Sequence, residues 1–329
     1  YPINILHYIL DDKLFYFAND ILKKIFSYFS FYLLAKSLNI KKINCALGAK
    51  QLTPYYFLLP ALLVLLVVIL YPVFSNFIMS LHKVKLLKGY GQGDLFIGFS
   101  NYAKLLGSKA FVSSMIVSLR FTLFSLPIAF ILGLGMALIF NEIKKYRPVF
   151  TGCLLVPWAI APVVTGYMWR WLFHDSFGLI NYSLLTLGFI DSPIPWLAEP
   201  NTAMMAAITA NVWRFMPYIT IMLLAGLQGV STELYESAQV DGANVIQRFF
   251  NVTLPQLRSV IGVVFLFATI WMVNDFALIF IMTEGGPARA TEVVPITIYR
   301  IAFEHLKLGR GAAAGLILLV FLLIMSALF

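Results

Sequence analysis

Charge is what this 329-residue sequence has least of: Asp, Glu, Lys and Arg make up only 12% of it, against about 25% in ordinary soluble domains. Hydrophobic residues reach 60%, with 29 Phe, 16 Tyr and 6 Trp, so a water-facing surface would carry apolar patches larger than a soluble monomer tolerates. That excludes secreted and cytosolic globular classes and leaves an integral membrane protein. Cysteine is nearly missing too. Cys45 and Cys153 form neither a CxxC pair nor a metal-ligand spacing, so no disulfide framework is implied. His7, His82, His174 and His305 are scattered without an HExxH or similar grouping, and no GxxxxGK[ST] phosphate loop occurs. The run Gly89 to Gly93 lacks the strand and helix a nucleotide site needs and reads as a loop. No metal, no cofactor and no enzymatic activity is therefore expected of this chain. The net charge of +9 fits basic residues at cytoplasmic helix ends and near anionic headgroups, with no nucleic-acid partner required.

What is present is a series of apolar runs, each about 20 residues long, the length that crosses a bilayer as a helix. The runs Tyr55 to Met79, Phe121 to Phe140, Val149 to Trp169, Ala203 to Leu227, Val260 to Thr283 and Gly311 to Phe329 predict an all-α, six-span polytopic protein. Pro157 and Pro162 predict a kink in the third span. Residues 1–50 are aromatic and apolar but carry Asp11, Asp12, Lys13, Asp20, Lys23, Lys24 and Lys36, too many charges for a crossing; they predict an amphipathic helix on the membrane surface, touching lipid. Residues 51–329 form the transmembrane domain. The sequence begins at Tyr1 and ends at Phe329 inside an apolar run, which predicts that it is part of a longer protein.

Lys144, Lys145 and Arg147 mark one connection as cytoplasmic, whereas residues 173–201 contain no Lys or Arg. Parity then places both termini, Lys41, Lys42, Lys50 and the stretch from Thr232 to Pro255 in the cytoplasm. Lys83, Lys85, Lys88, Lys104 and Lys109 fall on the outer side against the rule.

That stretch, within residues 231–256, reads as two short helices. Ser231 or Thr232 caps the first, Glu233 suits its positive end, and Leu234, Tyr235 and Ala238 form an apolar strip. Gly242 follows Asp241 where a left-handed turn is cheap; Val245, Ile246, Phe249 and Phe250 give the second apolar face, and Leu254-Pro255 stops the element. On these residues alone, a connector resting on lipid and a protein-binding element are both open.

The blocks Glu236-Ser237-Ala238, Asp241-Gly242-Ala243 and Val252-Thr253-Leu254-Pro255 closely resemble the conserved cytoplasmic loop of ABC-importer permeases, and their place before the penultimate span matches as well. Ser237 departs from the usual alanine. Thr283 to Pro287, Ala290-Thr291 and Ile298 to Arg300, with Asn101-Tyr102, Gly178 to Asn181 and Ala225 to Gln228, are similar to markers of the branch that carries sugars and glycerol phosphate. The resemblance covers about residues 54 to 329. It implies a bacterial or archaeal cytoplasmic-membrane subunit working by alternating access with a second permease, two cytoplasmic ATPases and an extracytoplasmic solute-binding protein, for a sugar or oligosaccharide. The loop would be the coupling helix that docks on an ATPase: Glu236 for a charged contact, Ala238 for close packing, Gly242 for the turn, Leu254-Pro255 as anchor. Glycerol phosphate or another small polar solute is the alternative cargo, and an ATPase-independent secondary transporter the alternative class.

Two ionisable residues fall inside spans, Arg214 in the fourth and Asp275 in the fifth, at similar depth by the helical rise of about 1.5 Å per residue. Such groups face a cavity or a partner, so these two either pair with each other or read cargo. Asn211, Trp213, Trp271 and Asn274 surround them and suit a sugar, which needs hydrogen bonds at its hydroxyls and an aromatic ring at its apolar face. Ala129, Gly133 and Ala137 share a face, as do Gly311 and Gly315, predicting close helix contacts.

Overall fold

The computed structural model describes residues 53–84, 95–143 and 145–327; the expected surface helix in 1–50, the run Gly89 to Gly93, and Lys85, Lys88 and Lys144 lie outside them. The chain is divided into two compact units, one of Tyr1–Ala103 with Ile301–Leu316 and one of Lys104–Arg300 with Ile317–Phe329.

In the first unit, helices α1 (Thr53–Leu65) and α2 (Tyr71–Ser80) run on through a π-helical turn, Leu66–Leu70. Pro60 is inside α1 and Pro72 sits in the first turn of α2, where a missing N–H is least costly. After α2 the chain makes a two-residue antiparallel pair, β1 (His82–Lys83) with β2 (Leu95–Phe96). Asn101 and Tyr102 tie this corner down: the Asn101 amide donates to the carbonyls of Ser80 and His82 (2.8 and 3.1 Å), and the Tyr102 and Ser80 hydroxyls lie 2.6 Å apart. The expected small-residue contacts occur here too, since a Cβ on Gly311 would fall 2.7 Å from that of Ala302.

The second unit is built around two long helices. Following α3 (Ser100–Leu106), which straddles the unit boundary, α4 (Lys109–Glu142) and α8 (Pro200–Gln228) pack side by side because both present small residues. Ala129 and Ala137 on α4 are buried in one cluster with Val212, Phe215, Ile219 and Leu223 of α8, and Ala207 of α8 is buried in another with Val117 and Phe121 of α4. A Cβ on Gly133 would stand 2.8 Å from the Ile219 side chain, so only hydrogen lets the backbones come this close. The partner of the Ala129-Gly133-Ala137 face is thus a helix of the same chain.

Between them lie α5 (Arg147–Ala159), α6 (Pro162–Leu172) and α7 (Leu179–Thr186). The expected kink in the third span is a full break: α5 and α6 meet at 91°. Pro157 stays inside α5, and the chain turns at Ile160 and Ala161, both extended, just before Pro162, since a residue preceding proline is pushed out of the helical region. Asn181 organises the lysine-free stretch by giving its amide to the carbonyls of Asp175 and Ile194 and accepting from Ile194 N–H and the Trp196 indole.

The chain continues through α9 (Thr232–Val240), α10 (Val245–Arg248), a π-turn at Phe249–Thr253, and α11 (Leu254–Gln256), then α12 (Arg258–Val273), α13 (Phe276–Thr283) and α14 (Val294–Tyr299). The fifth span is also corrected: α12 stops at Val273, and Asn274 and Asp275 separate it from α13. The last helix, α15 (Leu308–Ser326), begins in the first unit and ends in the second. Among the described residues four helices are long and apolar enough to cross a membrane, and two bent pairs raise the number to as many as six.

Candidate functional site

Residues 231–256 hold their shape largely by local bonds. Ser231 accepts from the Glu233 N–H, as its position predicts. The C-terminus of α9 is closed by Gly242, at φ +80°, with N–H bonds from Gly242 to the Gln239 carbonyl and from Ala243 to that of Ala238, a left-handed cap that glycine adopts without strain. Asn244 then opens α10 with a reciprocal pair: its Oδ1 accepts from Gln247 N–H and its own N–H donates to Gln247 Oε1. This capping box went unread in the sequence although Asn-x-x-Gln stood in view. One longer bond joins the halves, Tyr235 hydroxyl to Thr253 hydroxyl at 3.0 Å.

Leu254-Pro255 does not stop the element. It begins one more helical turn, with Pro255 in the first-turn position, before Leu257 is buried and α12 departs at 66°. Glu236, Ser237, Asp241 and Gly242 are exposed, while Ala238 and Ala243 are half-buried. Val240, Val245, Ile246 and Phe250 are more than half exposed, so the segment presents an apolar surface that nothing in the described chain covers.

The second cluster is interior. Arg214 on α8 and Asp275 at the break between α12 and α13 meet at 3.0 Å, Nη1 to Oδ2, and the Asn211 amide donates to the same carboxylate oxygen at 3.0 Å. Asn211 and Asp275 are buried and the Arg214 side chain is only 15% exposed, with its guanidinium 5.0 Å from the centre of the Phe215 ring. Of the two alternatives for the charges, pairing is the arrangement present.

Trp213 lies edge-on to Trp169 at 5.7 Å, and Trp271 packs among Phe215, Tyr218 and Phe267. Asn274 stands apart: it is exposed and its amide donates to the Ile270 carbonyl of its own helix. Trp169 and Tyr218 were not foreseen, since their approach to Trp213 and Trp271 depends on how helices pack.

A further cluster escaped the sequence entirely. Glu292, 2% exposed, binds Arg300 at 2.6 Å, Arg289 at 3.1 Å and the Thr297 hydroxyl, and Arg300 also donates to the Glu284 carbonyl. These bonds brace the connection from Thr283 to Arg300, whose turn uses Gly285 at φ +86°. Beside it opens a cleft of about 420 Å³ lined by Arg170, His174, Asp175, Trp196 and Glu284 among others. Hydrogen bonds from the Ser176 hydroxyl and N–H hold the Asp175 carboxyl below its ordinary range.

Residues 125–329 match the family described as "Binding-protein-dependent transport system inner membrane component". The chain is 37% identical over 273 residues to the trehalose/maltose transport system permease protein MalF of Thermococcus litoralis, covering 83% of this chain and 90% of that one. It is 34% identical over 272 residues to the sulfoquinovosyl glycerol transport system permease protein SmoG of Agrobacterium fabrum, with coverage of 83% and 87%. Its fold is similar to a chain of a bacterial ABC transporter involved in import of the acidic polysaccharide alginate, at TM-score 0.72 and 24% identity, over 85% of this chain and 94% of that one. The same similarity, TM-score 0.72, holds for that transporter in complex with an alginate pentasaccharide-bound periplasmic protein.

Proposed function

Because the chain belongs to the family of binding-protein-dependent transport system inner membrane components, and is a multi-pass membrane protein, we propose that it is one permease subunit of an ATP-driven importer for a sugar or oligosaccharide. The names of relatives that carry trehalose or maltose and sulfoquinovosyl glycerol support the saccharide cargo. The observation that carries the ATP-driven reading is the capped helical segment at 231–256 with its exposed Val240, Val245, Ile246 and Phe250. An apolar face of this kind marks a contact with protein or membrane, and on a capped element held by its own local bonds it is read here as a protein-docking surface.

In this reading a cytoplasmic ATPase receives the segment: Glu236 and Asp241 supply charged contacts, Ser237, Ala238 and Ala243 the small surface, Gly242 the turn. Leu254 and Pro255 lead the chain into α12. A second permease completes the pore, an extracytoplasmic binding protein delivers the cargo, and two ATPases closing on ATP draw two such segments together, switching the pore between two states. Residues 51–329 are the permease domain, and both termini are cytoplasmic. Asn211, Trp213, Arg214, Trp271, Asn274 and Asp275 lie along the cargo path.

Co-expression with the candidate ATPase and partner permease, purification, and assay of ATP hydrolysis in vesicles test the reading. Co-purification and hydrolysis stimulated by a saccharide-loaded binding protein are expected. Saccharide uptake driven by an ion gradient without any ATPase would overturn it in favour of a secondary transporter.

A further inference from the structure

Two hollows meet near the start of α8. One is the polar cleft beside the Thr283 to Arg300 connection; the other is a groove of about 540 Å³ walled by α6, α7 and the first turns of α8, with Leu172, Leu179, Ile180, Leu184 and Met205 on its sides. They share Phe173 and Trp196, whose rings stand 5.4 Å apart, and Trp169 stacks on Phe173 at 5.4 Å. Aromatic side chains thus stand between a charged hollow and an apolar one. Charge, then aromatic rings, then hydrocarbon is the order of layers at a membrane–water boundary, where Trp and Tyr concentrate. The surroundings agree: Tyr167, Trp171 and Tyr182 are more than half exposed, and residues 176–190 contain no charged side chain. Because α8 has 29 residues, about 43 Å at the helical rise, this boundary lies in the leaflet opposite the 231–256 segment.

The polar groups along these hollows are of three kinds. Arg170 spends one N–H on the Ile281 carbonyl at 3.1 Å, and its other N–H groups have no partner among the described residues. The Glu284 carboxylate also has none among them; its backbone is held at φ +54° with its carbonyl bound by Arg300 at 2.7 Å, a conformation that costs energy away from glycine and that recurs at ligand clamps. Trp169 lines the groove, and its indole N–H is shielded from solvent without a partner among the described residues. A phospholipid with an amine in its headgroup matches all of them: phosphate for the Arg170 fork, a primary ammonium for Glu284 beside Asp175, an ester carbonyl for the indole N–H, and an acyl chain for the groove. We propose that these two hollows form one binding site for such a zwitterionic phospholipid, with its headgroup in the cleft and an acyl chain along α7. None of the lining residues is assigned to the cargo path. Naming the leaflet as the outer one rests on the cytoplasmic placement of 231–256; the site itself rests only on the chain being a membrane protein.

The test reconstitutes the whole complex in phosphatidylcholine vesicles with a trace of phosphatidylethanolamine carrying a photoactivatable diazirine on one acyl chain, and maps the labelled peptides. Labelling concentrated on α7 and around Met205 is expected, denser than on the exposed apolar helix α1. Unlabelled phosphatidylethanolamine should compete about twofold to fivefold better than phosphatidylcholine, whose quaternary amine cannot donate a hydrogen bond to a carboxylate. Glu284→Gln should remove most of that preference, and Ser183→Trp, which fills the groove from α7, should abolish the labelling there. Labelling no denser on α7 than on α1, equal competition by the two lipids, or an unchanged preference in Glu284→Gln overturns the inference. So does a crosslink from Ser183→Cys to the partner permease in place of lipid, which would mean that protein covers the groove. Should Ser183→Trp fail to assemble, the wild-type competition and Glu284→Gln decide. Neither cargo nor ATP enters the readout, so failure of the importer reading would leave this result standing.

Discussion

The segment at 231–256 and the cluster at Arg214 and Asp275 are opposites in construction. The first is exposed and held mostly by bonds between near neighbours, such as Asn244 with Gln247 and Ala243 with Ala238. The second is buried and joined across 61 residues. Local capping lets a short element keep its shape while its apolar side remains available to a partner. A buried ion pair has no such independence, because each charge is tolerable only while the other is present. One region is built to be touched and the other to stay matched.

Breaking the match should therefore have the largest effect. Arg214→Leu or Asp275→Leu alone strands a buried charge and should cost about 3 to 5 kcal/mol, read as loss of folded complex in thermal unfolding. The double exchange Arg214→Asp with Asp275→Arg should recover assembly but not transport; recovery of both would mean the pair is purely structural.

A smaller interior loss comes from Gly133→Leu, which forces a side chain against Ile219 and should destabilise by roughly 1 to 3 kcal/mol, visible as a lowered melting temperature in detergent. On the exposed side, a Cβ at Gly242 meets nothing within 4 Å, so the cost of Gly242→Leu is mainly backbone strain of about 1 to 2 kcal/mol. The complex carrying that variant should assemble in the membrane, with its ATPases hydrolysing ATP without driving uptake; normal uptake would remove Gly242 from the coupling role. Val245→Ser should change stability by no more than about 0.5 kcal/mol yet weaken retention of the ATPase on purification. A large unfolding effect there would erase the contrast between the two regions.

The same contrast explains what could be read before the structure. Span positions follow from composition over about 20 residues, and the cap at Ser231 and the turn at Gly242 depend on neighbours in sequence. Arg214 and Asp275 were recognisable as unusual, but whether they met depended on the packing of α8 against the end of α12. The breaks at Ile160-Ala161 and Asn274-Asp275 were underestimated: Pro162 hinted at the first, whereas nothing in Trp271 to Phe276 contains a proline or glycine to mark the second. Glu292 with Arg289 and Arg300 was invisible because neighbouring charges on a loop read as solvated until burial is known.

The contact between Gly226 and Leu257 bears on how the 231–256 segment moves. A Cβ on Gly226 would lie 2.8 Å from a Leu257 methyl, and Leu257 is completely buried. Leu257 and Val260, where the chain leaves the segment, thus pack on Gly226 near the end of α8, where the chain enters it. In the coupling role proposed above, a push on the segment would reach α8 and α12 together through this contact, and lengthening the segment by a helical turn would test whether the distance from it to the docking face sets the stroke.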